Sequence, residues 1–216
     1  MLLRILVLLT VAFPALAQPV SGPITYKLDP KKSWVYVVIY NESSVMGFGH
    51  DHGIRAMDFT GTVVWDATDL SKCQVDISFP VTVLETDPPG MREREKLALD
   101  EAVGENDKRR IRDNFLAASQ LDAANHPTIS YRSTSCSGTT GNVTVTGDLT
   151  IRGQTKAITT TMVVTPTGTS FTAGGAFRAR ATDFGFQPYT NWVGVGTLRN
   201  KDEMKFVIDV VGTPAW

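Results

Sequence analysis

Apolar side chains recur at every second position along most of this chain, and no other feature limits its fold so tightly. Val75, Ile77, Phe79, Val81 and Val83 alternate with Gln74, Asp76, Ser78 and Thr82. Val143, Val145, Leu149 and Ile151 do the same against Thr144, Thr146, Asp148, Thr150 and Arg152, and Met204, Phe206, Ile208 and Val210 against Glu203, Lys205 and Asp209. In extended backbone successive side chains point to opposite faces, so this period puts one face in a core and the other in water. Similar segments run near 25–29, 33–41, 54–66, 127–135, 155–165 and 170–182, separated by turns at Gly138, Gly141-Asn142, Gly153 and Gly168. Roughly nine antiparallel strands of this kind must hide one-sided sheets. A sandwich or an up-and-down barrel does so, and a closed barrel also removes exposed strand edges.

One region breaks the period. From Arg92 to Ala118 the chain is charged and rich in Glu, Lys, Arg, Leu and Ala. Gly104 interrupts it, and Asn106-Asp107 is suited to cap a second helix whose apolar face includes Ile111, Phe115 and Leu116. A lone helical insertion between two strands suggests a cover over one end or face of the sheet. The strand at 33–41 also needs a cover, whether the helical excursion, a partner subunit or a membrane surface, because its outward phase is apolar or aromatic too: Trp34, Tyr36, Val38 and Tyr40.

The inward phase comprises Val35, Val37, Ile39, Phe59, Val63, Trp65, Val75, Ile77 and Phe79 in the first half. Ile129, Tyr131, Val145, Leu149, Ile158, Met162, Phe171, Phe177, Phe206 and Ile208 follow. Almost nothing here ionises. A cavity so lined suits a hydrocarbon chain, since each buried CH₂ contributes roughly 0.8 kcal/mol. Periodicity alone does not separate a lined cavity from a packed core.

The first residues look like a targeting signal. Arg4 precedes an apolar run from Ile5 to Leu16, and Ala15-Leu16-Ala17 has the small-x-small pattern of a cleavage site, which predicts a leader over 1–17 and one domain over 18–216. The run is shorter than the ~20 residues that span a bilayer, so no stable membrane anchor is expected. A formal net charge of −1 argues against nucleic acid as a partner. The two cysteines, Cys73 and Cys136, are favoured as a disulfide in an oxidising exported location. Alternation puts them in opposite phases, so the bridge requires a bulge or a twist at a strand end.

His50 and His52 are two of three histidines, and positions i and i+2 of an extended segment share a face. Three uses stay open: a hydrogen-bonded turn at a barrel mouth, a polar grip on a lipid headgroup, or metal or haem ligation, which would need His126 or a carboxylate to complete the sphere. Arg109, Arg110 and Arg112 are a second candidate anion grip, against which stands a solvated helix face interspersed with Asp107 and Asp113. There is no Gly-x-Ser-x-Gly elbow, phosphate-cradling loop or dinucleotide fingerprint, so no enzyme is expected.

Several segments in order resemble the YceI-like family of exported lipocalin-like proteins: Tyr26-Lys27-Leu28-Asp29-Pro30 with Ser33-Trp34-Val35; Phe59-Thr60-Gly61-Thr62-Val63; and His126-Pro127-Thr128-Ile129-Ser130-Tyr131. They continue with Thr146-Gly147-Asp148-Leu149-Thr150-Ile151-Arg152-Gly153, Asp183-Phe184-Gly185-Phe186 and Lys201-Asp202-Glu203-Met204-Lys205-Phe206. The resemblance implies an all-β, antiparallel eight-stranded lipocalin-like barrel, here with a helical insertion between two strands. It also implies an interior tunnel for a polyisoprenoid or a similar long-tailed lipid, no catalytic residues, a periplasmic or secreted location, and sometimes a homodimer; a quinone is a further candidate for the tunnel, and no cofactor is expected. Two departures stand out. Glu85 to Asn114 is longer than the family's usual connection, and Gly47-Phe48-Gly49-His50-Asp51-His52-Gly53 looks like a branch carrying a Gly-His-Asp-His turn.

Overall fold

A computed structural model describes residues 22–44, 49–97 and 103–216. The expected leader and the Gly47-Phe48 pair lie outside the described residues. Twelve strands appear in chain order: β1 (Ile24–Leu28), β2 (Trp34–Asn41), β3 (His52–Ala56), β4 (Thr60–Trp65), β5 (Gln74–Pro80) and β6 (Leu84–Thr86), then β7 (Thr128–Thr139), β8 (Asn142–Ile151), β9 (Gln154–Pro166), β10 (Phe171–Arg180), β11 (Thr190–Trp192) and β12 (Thr197–Pro214). Among the described residues two α-helices, α1 (Met91–Glu95) and α2 (Glu105–Leu116), lie between β6 and β7.

The sheet runs β1-β4-β5-β7-β8-β9-β10-β12 and closes because β12 also pairs with β1, giving an eight-stranded antiparallel barrel. Every neighbour is antiparallel, with Tyr26 opposite Pro214 at the closing seam. β2, β3 and β6 extend this wall: β2 pairs with the first half of β12, β3 with β2, and β6 with β3. The first three staves are therefore long strands, each broken once, with β1/β2, β3/β4 and β5/β6 as their halves.

Ser33 repairs the first break. Its hydroxyl donates to the Asp29 carbonyl at 2.7 Å and accepts from the Val211 amide at 3.0 Å, which satisfies backbone groups that the interrupted ladder leaves over. The segment expected at 33–41 is thus one half of a bent stave, and 54–66 likewise bends at 57–59.

The outer aromatic face of β2 is covered by the chain itself. Tyr36, Val38 and Val207 pack with Met91 and Leu97 in a small second core, flanked by Trp34 and Tyr40. Gly53 makes this possible, because a Cβ there would lie 2.4 Å from the Met91 sulfur. Polar clamps hold the cover: Tyr36 donates to Glu95, Lys205 reaches Glu95 at 2.7 Å, and Arg94 pairs with Asp209. The Arg55 guanidinium stacks 3.8 Å over Trp34.

α2 begins after Gly104 in extended backbone, with no side-chain cap. This corrects the expectation of an Asn106-Asp107 cap. Asp107 instead sits in the first turn, where it suits the helix dipole, and pairs with Arg110 at 2.7 Å.

Cys73 and Cys136 form a disulfide, with Cα atoms 5.9 Å apart. β7 makes room for it with the shift that the opposite phases demanded: its register against β8 slips between Ser133 and Ser135. One extra residue turns Cys136 inward beyond that point.

Candidate functional site

The barrel encloses an apolar cavity of about 210 Å³ running through both halves of its core. For scale, ~150 Å³ of dry apolar space suffices to hold a benzene-sized guest. The first staves supply Val37, Ile39, Trp65, Val75, Ile77 and Phe79; β7 and β8 supply Ile129, Tyr131, Val145 and Leu149. Ile158, Met162, Phe171, Phe177 and Phe206 come from the remaining strands. The alternation therefore carries these side chains to one lumen, because each is on the inward pleat of a barrel strand.

Phe59 is the exception among the expected lining residues. It is buried in the core cluster around Tyr26 and Trp65 but does not border the cavity. It immediately precedes β4, at the bend of its stave, where the strict inward phase no longer applies.

The helical insertion expected as a cover supplies residues that close the upper end. Phe115 of α2, with Gln120 and Leu121 just beyond it, borders the cavity where β6 parts from β7. Arg112 ties α2 to the wall through the Thr82 carbonyl at 2.6 Å, and Gln120 donates to the Gln187 carbonyl at 3.0 Å. The lower end is closed by aromatic packing, with Phe171 5.2 Å from Tyr26 and 6.2 Å from Trp65 between ring centroids.

Two polar atoms stand out along this lining: the Tyr131 hydroxyl and the Trp65 indole nitrogen are buried without a hydrogen-bond partner. The Tyr131 hydroxyl lies where a Cβ on inward-facing Gly147 would sit, 2.5 Å away, so the missing side chain of Gly147 admits the ring. Burial, helped by the charge of Asp148, pushes the Tyr131 phenol up to about 12.

A second cavity of about 330 Å³ adjoins the upper end, and its lining mixes polar with apolar side chains. Ile39, Ile54, Phe115 and Gln120 border both spaces. Asn41, Ser43, His50, His52, Asn114 and Asn200 contribute hydrogen-bonding groups to this vestibule. Two guanidiniums also border it, and each has a carboxylate: Arg110 with Asp107 at 2.7 Å, and Arg199 with Glu42 at 3.6 Å. Arg109 contacts Asn106, and Arg112 is committed to Thr82, so the three arginines do not converge on one point.

His50 and His52 both border the vestibule, edge to face, with ring centroids 6.3 Å apart. Nδ1 of His52 is 2.8 Å from Asp87, whose other oxygen accepts from the Gly53 amide at 2.9 Å. Arg92 reaches the same carboxylate at 3.1 Å. Asp51 turns away to accept from the Asn41 amide at 2.7 Å. His126 packs instead against the Gly153 turn, 2.8 Å from where a Cβ would stand. Among the described residues no group of three or more His, Cys, Asp or Glu side chains is placed to hold a metal. The pair is thus a fixed wall element, with His52 held by a partner 35 residues away that the sequence hid in Thr86-Asp87-Pro88-Pro89-Gly90, a run that reads as a turn.

Burial on its own would raise Asp87, but hydrogen bonds from His52 and Gly53, with the charges of His52 and Arg92, outweigh it and hold the carboxyl below its ordinary 3.8. Its folded value is lower than its unfolded one. The stability it confers is therefore complete above about pH 4 and is lost as pH falls through the folded value. Urea unfolding at pH 6 and pH 3 should show a drop that shrinks in Asp87→Asn. An equal drop in both proteins would remove Asp87 as a cause.

A family model for the YceI-like domain matches residues 26–211. No curated protein matches the chain. Among solved structures, BcnA of Burkholderia cenocepacia is similar at 19% identity over 86% of this chain and 99% of its own, with a TM-score of 0.62. The YCEI protein of Campylobacter jejuni is similar at 12% identity over 76% of this chain and 84% of its own, with a TM-score of 0.55.

Proposed function

Because this chain belongs to the YceI-like family, we propose that it is an exported, non-enzymatic binding protein that holds one long-tailed isoprenoid lipid, tail in the bore and head in the vestibule. The observation that carries this reading is a lumen lined from every stave by apolar side chains and adjoining a more polar chamber at its upper end. Such a pair of spaces matches a molecule with a long greasy part and a small polar head. Tail burial supplies the affinity, and the asparagines and imidazoles orient the head.

The chemistry of the vestibule favours an uncharged head. Its two arginines already have carboxylate neighbours, so a pyrophosphate would compete with Asp107 and Glu42 for them. A quinone carbonyl or a prenol hydroxyl needs only the neutral donors and acceptors present. The Arg4-led apolar segment and the disulfide support a periplasmic or secreted location. Metal or haem ligation by His50 and His52 is not favoured, since no third donor among the described residues joins them.

Titration with polyprenols of increasing length tests the reading. Affinity should climb by roughly fourfold per added CH₂ until the bore is full and then level off. Equal affinity for short and long tails would mean that the tail does not enter the barrel.

A further inference from the structure

Four large apolar residues are strongly exposed among the described residues, and two of them share one hairpin tip. Trp192 ends β11 and is 69% exposed; Val195, in the turn before β12, is 74% exposed. The turn is tight, with the Val193 amide bonded to the Gly196 carbonyl at 2.9 Å and Gly194 in the left-handed region at φ 83°. It is braced from beneath, because the Thr197 and Arg199 amides bond to Ser44 and Ser43 hydroxyls at 3.1 Å. An apolar tip so held cannot fold back onto the barrel to hide itself.

Its place in the molecule decides its partner. The same hairpin lines the vestibule through Tyr189, Leu198, Arg199 and Asn200, so the tip projects beside the mouth through which a tail would enter. Two side chains cannot reach the roughly 1,000 Å² that a specific protein interface buries. They are enough to anchor into a bilayer, where an indole sits at the headgroup level with its ring half in hydrocarbon. Several nearby cations are paired, Arg110 with Asp107, Arg199 with Glu42, Arg178 with Glu203 and Lys108 with Glu105, while Lys201 sits over the Tyr40 ring and Arg109 contacts Asn106.

We infer that the β11–β12 hairpin tip, through Trp192 and Val195, docks this protein onto a phospholipid bilayer with its vestibule facing the membrane. The docking stands on the hairpin; its use for loading and unloading the bore rests on the function proposed above. The contact is apolar, so it takes zwitterionic and anionic bilayers alike and resists salt.

Sedimentation with phosphatidylcholine vesicles, and with vesicles containing added phosphatidylglycerol, tests this at low and high ionic strength. The intact protein should bind both, and W192S/V195S should bind at least about tenfold more weakly. W216S is the control: Trp216 is 84% exposed but follows Pro214 at the opposite end of the barrel. It should bind within twofold of the intact chain. Polyprenol affinity measured without vesicles should be unchanged in W192S/V195S, which separates docking from ligand binding and shows that the variant is folded. The inference is overturned if the intact protein fails to sediment, if W192S/V195S sediments equally well, or if W216S loses as much. Binding confined to phosphatidylglycerol and abolished by salt overturns it too. So does a loss of self-association in W192S/V195S with vesicle binding intact, which assigns the tip to a second copy of the chain.

Discussion

Ala173→Phe should lower affinity for a C20 polyprenol by about a hundredfold while leaving a C10 analogue within threefold. Ala173 faces the lower bore on β10, opposite Val210 of β12 and Val164 of β9, all three of which line the cavity. A phenyl ring there occupies space that the far end of a tail would fill. Excluding four CH₂ groups costs about 3 kcal/mol at 0.8 each, which is somewhat over a hundredfold. The ring enters existing space, so the variant should melt close to the intact protein. Unchanged C20 affinity in a folded variant would show that tails do not reach this depth. Equal losses for both lengths would point to general disruption rather than a shortened bore.

The second large effect is on stability. Cys73→Ser/Cys136→Ser should lower the unfolding free energy by about 4 kcal/mol, because the bridge closes a loop spanning 63 residues. The bond also replaces hydrogen bonding where it is needed. Pairing of β5 with β7 stops at Asp76 and Arg132, and beyond it the Val75 amide is held only by the Ser133 hydroxyl at 2.7 Å before the disulfide takes over. Guanidinium unfolding of the double variant and of the reduced intact protein should agree. A loss under 1 kcal/mol would mean that native contacts already hold this corner.

The barrel was legible because a stave buried on one side must alternate. Val75, Ile77 and Phe79, or Val145 and Leu149, leave no other phase for the lumen. The doubly apolar β2 announced a cover, and Met91 provides it. The opposite phases of Cys73 and Cys136 required a shift, which β7 supplies next to Ser133. Legibility failed where tertiary partners decide. Nothing in the alternation marks the bends at Ser33 and Phe59, since a bent stave keeps its period on either side. Asp87 sits in Pro- and Gly-rich sequence that signals an exposed turn, yet its carboxyl is buried by His52, Gly53 and Arg92, contacts between distant parts of the chain. The helical insertion was legible as a cover with Phe115 on its apolar face, but the role of Leu121 and the end at which the cover closes the bore were not. Both follow from β6 leaving β7, a feature of the sheet rather than of the helix.

Organic extraction of the protein, isolated without detergent from its native host, followed by mass spectrometry, tests the central claim most directly. The account predicts close to one long-chain isoprenoid lipid per folded, disulfide-bonded chain. Repeated preparations of intact protein that yield no such lipid, and that also refuse added polyprenol, would contradict it.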